Sequence, residues 1–226
     1  MPESITLVIG ASRGIGQEIV HQLSKDPNNQ IIASVRTPTE FNNPRVKSVV
    51  LDLGDRKSVE AAATQVPEID TLIINAAIGD GEKVLTTSDE RLAEYFHINV
   101  GGPLRVVQAF LPALLARQTR KIVLISSSSG SLVEQINASS GFSGPYSLSK
   151  GAGNMLVIQL HNELRHEGFT LLAVHPGWVA TDMGNISGSG GMPIPKSAQG
   201  VLQQVERVEK KDSPLFVAWD GSVIQW

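Results

Sequence analysis

The chain lacks cysteine altogether across its 226 residues. This absence excludes disulfide bonds, thiolate nucleophiles and cysteine-based zinc sites. Long apolar runs are also missing, because no window approaches the roughly 20 apolar residues that a membrane-spanning helix requires. The sequence therefore predicts neither a disulfide scaffold nor a membrane partner.

Strong charge of one sign is absent as well. The formal net charge is -3 and the pI is near 6.0, which gives no reason to expect nucleic acid or an anionic membrane as partner. The start, Met1–Ser4, has no basic segment before an apolar one, and the end, Val223–Trp226, matches no retention signal. A cytoplasmic protein with a small-molecule partner is expected.

Apolar content is sufficient for a core, at 41% of residues. Short β-branched runs alternate with segments of helical spacing, which predicts a parallel sheet with helices on both faces. The predicted strands are Ile5–Ile9, Gln30–Val35, Val46–Leu51, Thr71–Ile74, Lys121–Ile125, Thr170–Val174 and Leu215–Ala218. The predicted helices are Ile15–Leu23, Asp55–Gln65, Glu90–Phe96, Leu104–Ala116, Ser147–Arg165 and Ser197–Glu209. The expected fold is α/β, a single-domain Rossmann fold over residues 1–226 with a doubly wound parallel sheet of about seven strands.

Two irregular segments interrupt this alternation, Ser126–Pro145 and Gly177–Pro195. Each follows a predicted strand. In an open parallel sheet the loops beyond the carboxyl ends of the strands form the ligand crevice, so functional residues are expected there. Gly188–Gly191 is predicted to act as a lid.

A glycine-rich turn joins the first strand to the first helix. Bare glycines there let a phosphate approach backbone amides and the helix N-terminus. The spacing Gly-x-x-x-Gly-x-Gly differs from the standard dinucleotide fingerprint, and a turn that merely allows close packing is an alternative. The candidate cofactor residues in this turn are Gly10, Ser12, Arg13, Gly14, Ile15 and Gly16.

The second strand carries information about which dinucleotide binds. An acidic residue at its end would bond a ribose 2′-hydroxyl, but Ile31–Arg36 ends in arginine. Arg13 and Arg36 together are suited to a 2′-phosphate, which favours NADP(H). The alternative is that Arg36 is only a solvated charge at a strand end.

Tyr146 and Lys150 are four residues apart, which places them on one face of a helix. An ordinary tyrosine, with a pKa near 10, keeps its proton too tightly for acid–base work at neutral pH. A neighbouring ammonium group and a helix N-terminus are expected to lower the pKa of Tyr146. This pattern predicts that Tyr146 is a general acid.

The ordered motifs resemble the short-chain dehydrogenase/reductase family along nearly the whole chain. They are Gly10-x-x-x-Gly14-x-Gly16, Asp52-Leu53, Asn75-Ala76-Ala77-Ile78-Gly79, Asn99, Ile125-Ser126-Ser127-x-x-Gly130, Tyr146-x-x-x-Lys150 and Pro176-Gly177-x-Val179-x-Thr181. The short length, the long segment before Tyr146 and the C-terminal residues are similar to the C-factor/sniffer-like carbonyl reductases and to fungal ketoreductases.

The resemblance implies a nucleotide-binding role for many of these residues. Asp52 would bond the adenine amine, with Leu53 beside the ring, and Lys150 would hold the nicotinamide ribose. The adenosine ribose would lie along Asn75, Ala76 and Ala77. The nicotinamide carboxamide would be held by Pro176, Gly177, Val179 and Thr181.

The resemblance also implies a catalytic set. Ser127 would bond the substrate carbonyl, Tyr146 would protonate its oxygen, and Asn99 would organise a water that feeds protons through Lys150. Ser127 and Tyr146 are 19 positions apart (146 − 127), wider than is usual in the family, and a shift of the serine role to Ser128 stays open. NADPH-dependent reduction of a ketone or aldehyde is the expected activity.

Three alternatives belong to other classes. Ser147-x-x-Lys150 matches a motif of penicillin-recognising acyl enzymes, but the companion motifs are missing. His161 and His166 are five residues apart and do not share a helix face, so surface histidines are favoured over a metal site and no metal is expected. An NADPH-binding signalling or regulatory protein with little turnover is the remaining alternative.

The substrate is expected to be an apolar, fairly bulky carbonyl compound. Large apolar side chains in the two irregular segments support this expectation, although each could equally serve packing: Ile136, Phe142, Trp178, Met183 and Met192. The helices Leu104–Ala116 and Ser147–Arg165 are candidate faces for a homodimer or homotetramer.

Overall fold

Seven strands form one sheet in the computed structural model, which describes residues 4–138 and 141–226. The strands are β1 (Ser4–Ile9), β2 (Asn29–Val35), β3 (Val46–Val50), β4 (Thr71–Ile74), β5 (Lys121–Ile125), β6 (Thr170–His175) and β7 (Leu215–Ala218). Their order is β3-β2-β1-β4-β5-β6-β7, and every neighbouring pair is parallel. The predicted α/β fold with a parallel seven-stranded sheet is confirmed.

Six α-helices connect the strands of the described part of the chain. They are α1 (Gly14–Leu23), α2 (Arg56–Ala63), α3 (Asp89–Asn99), α4 (Gly101–Leu115), α5 (Gly144–Leu164) and α6 (Ile194–Arg207). Two apolar clusters fill the space between helices and sheet. One lies beneath α2, α4 and α5, and the other beneath α1 and α6. Helices therefore cover both faces, as a parallel sheet requires.

The direction of chain progression reverses between β1 and β4. From β1 the chain moves outward through β2 to β3, then crosses back to place β4 on the other side of β1. The ends of these two central strands are tied together, because the backbone N–H groups of Asn75 and Ala76 both donate to the Ile9 carbonyl at 3.0 Å. Such a reversal opens a crevice at the carboxyl ends of the strands.

α3 and α4 follow each other almost without a break. Together they form a stretch of 27 residues, Asp89–Leu115, that is long and apolar enough to cross a membrane by length and composition alone. The sequence prediction did not recognise this stretch. Val106, Phe110 and Leu114 of α4 are fully buried in the core beside the sheet, which is the position of a core helix in a folded domain.

Candidate active site

The glycine turn after β1 has no room for side chains. Gly10 has a φ of 84°, and a β-carbon on it would lie 2.7 Å from the β-carbon of Ala76. A β-carbon on Gly16 would lie 2.2 Å from the carbonyl oxygen of Gly10. Glycine is therefore required at both positions for the turn to approach the end of β4.

Two polar side chains hold this turn in place. The buried Oγ of Ser34 on β2 accepts a hydrogen bond from the Gly10 N–H at 3.0 Å. The Asn75 amide donates to the Gly10 carbonyl at 2.9 Å. Ser34 was missed by the sequence prediction, and its one signal is a hydroxyl within the otherwise apolar run Ile31–Val35. Asn75 thus contacts the turn itself.

The N-terminus of α1 faces the crevice with its donors uncapped. Arg13 is the N-cap residue and makes no capping hydrogen bond with its side chain, and the first turn of α1 contains no acidic residue. Backbone N–H groups at such an end favour an anion. Ser12 is exposed next to this end, and Ile15 is half-buried in the first turn. The turn therefore fits the diphosphate of a dinucleotide.

Three of the residues expected at the adenosine end follow β2 and β3. Arg36 is exposed and has no ion-pair partner within residues 4–138 and 141–226. Asp52 is exposed, and its Oδ1 accepts a hydrogen bond from Gly54 N–H at 2.8 Å. Leu53 is buried, and its side chain packs on Gly102 of α4 rather than lying open to the crevice.

Arg13 has a partner that the sequence did not predict. Its Nη1 donates to Asp182 Oδ2, in the segment that follows β6. The expected companion, Arg36, lies at the same edge of the sheet, since the glycine turn bonds to Ser34 two residues before it. Arg13 and Arg36 therefore lie at the same end of the sheet, and the Arg13 guanidinium is engaged by a carboxylate.

α5 positions Tyr146 and Lys150. The helix begins at Gly144, where φ is 64° and a β-carbon would lie 2.1 Å from the Glu82 carbonyl, and Pro145 follows in the first turn. Tyr146 and Lys150 are 6% and 5% exposed, and the Lys150 Nζ lies 5.6 Å from the centre of the Tyr146 ring. The helical prediction for this pair is thus confirmed.

The Tyr146 ring lies between several neighbours. A β-carbon on Gly79 would lie 2.8 Å from the Tyr146 ring and 3.0 Å from Met183 Sδ, so Gly79 allows both to approach. Phe142 packs against the same ring in an edge-to-face arrangement. Ser127, not Ser128, is hydrogen-bonded to Tyr146. Gly79 was recognised only as part of a motif, and its contact with Tyr146 was not predicted.

The expected lowering of the Tyr146 pKa by Lys150 is wrong for this structure. Burial raises the pKa of Tyr146 to about 12, and the hydrogen bond with Ser127 opposes this rise. Burial also lowers the pKa of Lys150 to about 8. The physical reason is that both groups are withdrawn from water, and the Lys150 ammonium donates to the Ile125 carbonyl at 2.9 Å.

Asn99 ends α3 with its side chain fully engaged. Its amide nitrogen donates to the Ile78 carbonyl and to Ser149 Oγ, each at 2.9 Å. Its amide oxygen accepts from Ile78 N–H at 2.9 Å. Ser149 Oγ in turn donates to the Tyr146 carbonyl at 2.7 Å. Asn99 therefore ties the segment after β4 to the first turn of α5.

The segment that follows β6 is held by contacts between residues near its beginning and residues near its end. Gly177 has a φ of 87°, and a β-carbon there would lie 2.5 Å from Met192 Cε. The Pro176 carbonyl accepts from Ser197 Oγ at 2.7 Å. Val179 is buried and bridges to Met192, whose N–H donates to the Trp178 carbonyl at 2.7 Å. These contacts join the two ends of the segment.

Thr181 caps a short turn in this segment and touches the glycine turn. Its Oγ1 accepts from Gly184 N–H at 3.0 Å, and its methyl group lies 3.4 Å from where a β-carbon of Gly14 would be. The predicted lid, Gly188–Gly191, packs on the Trp178 ring and on Ala180. Its function as a lid stays a prediction. In the other irregular segment, Ser126–Pro145, residues 139 and 140 lie outside the described residues.

The alternative chemistries are not supported by the described contacts. Ser147 Oγ donates to the Phe142 carbonyl at 2.9 Å, so this hydroxyl belongs to the first turn of α5 rather than to a nucleophilic pair with Lys150. His161 contacts Ser213 Oγ at 3.0 Å, whereas His166 accepts from Arg165 at 3.3 Å. Over the part of the chain that the structure describes, no group of three potential metal ligands occurs.

Comparison with known proteins agrees with this geometry. The sequence profile of the family described as short chain dehydrogenase matches residues 4–189. An uncharacterized oxidoreductase of Saccharomyces cerevisiae is 34% identical, over 95% of this chain and 94% of its own. The C-signal protein of Myxococcus xanthus is 35% identical, over 70% of this chain and 93% of its own.

Among solved structures, the NADPH-bound carbonyl reductase from chicken fatty liver is similar over the full length of both chains. The TM-score is 0.92, the sequence identity is 30%, and the coverage is 100% of each chain. The resemblance inferred from the ordered sequence motifs is thus confirmed at the level of family and fold.

Proposed function

Because this chain belongs to the short-chain dehydrogenase family and is an oxidoreductase of that family, we propose that it reduces a ketone or aldehyde with NADPH. The observation that carries the proposal is the placement of Tyr146. Its phenol is buried, bonded to Ser127 and one helical turn from Lys150, at the edge of the sheet where the glycine turn also lies. A proton donor and a phosphate-binding turn therefore share one crevice.

The cofactor is proposed to be NADP(H). The uncapped N-terminus of α1 supports binding of a diphosphate, and Arg13 and Arg36 support binding of a 2′-phosphate where an NAD-type site would carry an acid. The chicken carbonyl reductase, which is 30% identical, is NADPH-bound and supports the same choice. When bound, the cofactor supplies the hydride that reaches the substrate carbon.

Tyr146 and Ser127 are proposed to act on the substrate oxygen. The two hydroxyl groups donate hydrogen bonds to the carbonyl oxygen, which orients it and stabilises the negative charge that develops there. The high pKa of Tyr146, about 12, keeps this phenol protonated over the whole neutral range, as a proton donor requires. The phenolic proton passes to the oxygen, and the alcohol product forms.

Lys150 and Asn99 are proposed to return a proton to Tyr146. Pro103 has no N–H, so the Asn99 carbonyl lacks the bond it would otherwise accept from the fourth residue along the helix. This carbonyl lies 3.8 Å from where a β-carbon of Gly153 would be, one turn beyond Lys150 on α5. This carbonyl is proposed to bind a water between α3 and α5 that exchanges protons with Lys150.

The substrate is proposed to be apolar. Phe142 and Met183 flank Tyr146, and neither brings a charge to the place where the carbonyl compound would lie. Trp178 and Ile136 are exposed on the two segments that follow β6 and β5. An aromatic or long aliphatic group attached to the carbonyl fits this lining better than a charged one.

The test is NADPH oxidation by the full chain with a panel of aromatic ketones, aldehydes, quinones and polyketide-like compounds, with NADH in parallel. Turnover with NADPH is expected for at least one class. Tyr146→Phe is expected to lose at least about 100-fold in kcat while NADPH affinity stays the same. Equal turnover by the variant would falsify the role of Tyr146, and failure of the chain to bind NADPH would end the proposal.

A second candidate is a signalling protein that binds the nucleotide and turns over little. The similarity to the C-signal protein favours it. The buried Tyr146, Ser127 and Lys150 argue against it, because binding alone needs no positioned proton donor. Absence of turnover across the panel, together with tight NADPH binding, would favour this candidate.

A further inference from the structure

Two loops meet at the nucleotide crevice through one exposed ion pair. Arg13 of the glycine turn donates to Asp182 of the segment after β6, and their side chains are 71% and 80% exposed. A second contact joins the same two loops, since Thr181 Cγ2 lies 3.4 Å from the β-carbon position of Gly14. The pair is therefore part of a loop-to-loop contact rather than an isolated surface bridge.

Arg13 has two candidate anionic partners, the Asp182 carboxylate and the 2′-phosphate of a nucleotide. A guanidinium group binds a carboxylate and a phosphate with the same fork of N–H donors. A phosphate dianion and a carboxylate on one guanidinium also repel each other. Binding of one anion to Arg13 therefore weakens binding of the other.

We propose that Asp182 sets the cofactor preference by competing with the 2′-phosphate of NADP(H) for Arg13. This inference rests on the proposed function, because it takes Arg13 as a ligand of that phosphate. Asp182 lowers the affinity for NADP(H) and leaves the affinity for a nucleotide without a 2′-phosphate unchanged. Asp182 thus reduces the preference for NADP(H) over NAD(H) that Arg13 and Arg36 create.

The position of Asp182 is held by its own segment. Thr181 Oγ1 accepts from Gly184 N–H, and the Trp178 indole donates to the Gly184 carbonyl at 2.9 Å. These bonds do not involve Asp182, so replacing its carboxylate with an amide leaves them intact. Within the described ranges, Arg13 is the one cation that pairs with Asp182.

The experiment measures dissociation constants of the full chain for 2′,5′-ADP and 5′-AMP by titration calorimetry. The two probes share a 5′-phosphate and differ in the 2′-phosphate. Asp182→Asn is expected to tighten 2′,5′-ADP binding about two- to five-fold, the range that an exposed ion pair allows, and to leave 5′-AMP binding unchanged. Glu209→Gln, which removes a carboxylate from an exposed pair with Lys211, is the matched control and should change neither.

A double-mutant cycle separates this inference from the proposed function. Arg13→Ala is expected to weaken 2′,5′-ADP binding, and adding Asp182→Asn to it should then have no further effect. If Arg13→Ala leaves 2′,5′-ADP binding unchanged, the proposed cofactor role of Arg13 fails. If Arg13→Ala weakens binding but Asp182→Asn does nothing, or tightens both probes equally, the competition is overturned while the cofactor proposal stands.

Discussion

The ring of Phe142 meets the ring of Tyr146 edge-on, with the ring centres 5.1 Å apart and the ring planes inclined by 67°. Edge-to-face pairs of this kind contribute about 0.5–1.5 kcal/mol beyond the area they bury. Phe142 lies in the segment before α5, and Tyr146 lies in the first turn of that helix. The contact therefore restrains the phenol from the side of the irregular segment.

Phe142→Ala is expected to lower kcat/KM for a carbonyl substrate up to about ten-fold, the factor that corresponds to such a contact. The NADPH dissociation constant should stay the same, because Phe142 touches the phenol and not the glycine turn. Steady-state kinetics and a binding titration check both statements. Phe41→Ala, a similar truncation of a half-buried ring between β2 and β3, should leave kcat/KM unchanged. A loss of cofactor affinity in Phe142→Ala would contradict this account.

The strands were predictable because they are short runs rich in β-branched residues, and all are largely buried except β3, which lies at an edge of the sheet and is partly exposed. Each predicted strand lies within two residues of its observed bounds, as for Thr71–Ile74 and Lys121–Ile125. The order of the strands depends on pairing between distant parts of the chain. Only the general rule for alternating strands and helices, applied to the family-like motifs, indicated which edge would hold the site.

Helix starts were less predictable where glycine and proline occur. α5 was expected at Ser147 and begins at Gly144, and α6 was expected at Ser197 and begins at Ile194. Proline lies in the first turn of both helices, where its missing N–H costs nothing. α4 was expected at Leu104 and begins at Gly101, with Pro103 likewise in its first turn.

Most side-chain contacts in the site could not be predicted from the sequence. The positions of Tyr146 and Lys150 follow from helical spacing, but the burial that moves their pKa values depends on the packed core around them. The pairing of Arg13 with Asp182 joins residues 169 positions apart, and no local pattern indicates it. Ser34 could have been suspected, because a hydroxyl in a buried strand needs a partner.

Ser34→Ala tests the support of the glycine turn. The substitution removes the acceptor of the Gly10 N–H and leaves that donor unpaired at a half-buried position, which costs about 1 kcal/mol. The affinity for NADPH is expected to fall about five- to ten-fold, because the turn loses its fixed position. Titration with NADPH measures this loss. Ser48→Ala on the neighbouring strand is the control and should keep wild-type affinity, since Ser48 is paired with Ala33 and not with the turn.

Lys150 is expected to set the pH dependence of reduction. Burial lowers the pKa of Lys150 to about 8, so the ammonium is present below pH 8 and lost above it. The value of kcat/KM is therefore expected to decline above about pH 8, well below the pH at which an ordinary lysine titrates. The phenol of Tyr146, with its pKa raised to about 12, contributes no decline in this range.

Carbon-13 labelling of lysine side chains identifies the group responsible. The resonance that disappears in Lys150→Met should titrate near pH 8 in the wild-type protein, in the same range as the decline in kcat/KM. Titration of that resonance above pH 10 would show that burial does not depress the pKa of Lys150. If kcat/KM declines above about pH 8 but no lysine resonance titrates in that range, the decline belongs to another group.

His175, at the end of β6, is expected to make the free energy of unfolding depend on pH in the acid range. Burial lowers the pKa of His175 to about 4, with the Asp220 carboxylate opposing the shift, and its Nδ1 has no hydrogen-bond partner among the described residues. The folded chain therefore keeps this ring neutral, while the unfolded chain protonates it near pH 6.5. Stability from this group is fully present above pH 6.5 and is lost as the pH falls towards 4.

The loss attributable to His175 between pH 7.5 and pH 4.5 is expected to be about 2–3 kcal/mol in the free energy of unfolding. Urea unfolding at the two pH values measures it in the wild-type protein and in His175→Gln, which cannot take up the proton. The variant should lose less stability on acidification, whatever its stability at pH 7.5. His166→Gln, at an exposed position, should retain the wild-type difference. Carboxylates also contribute to acid unfolding, so only the difference between the wild-type protein and His175→Gln reports on His175. An identical loss of stability in both proteins would show that other groups cause the acid sensitivity.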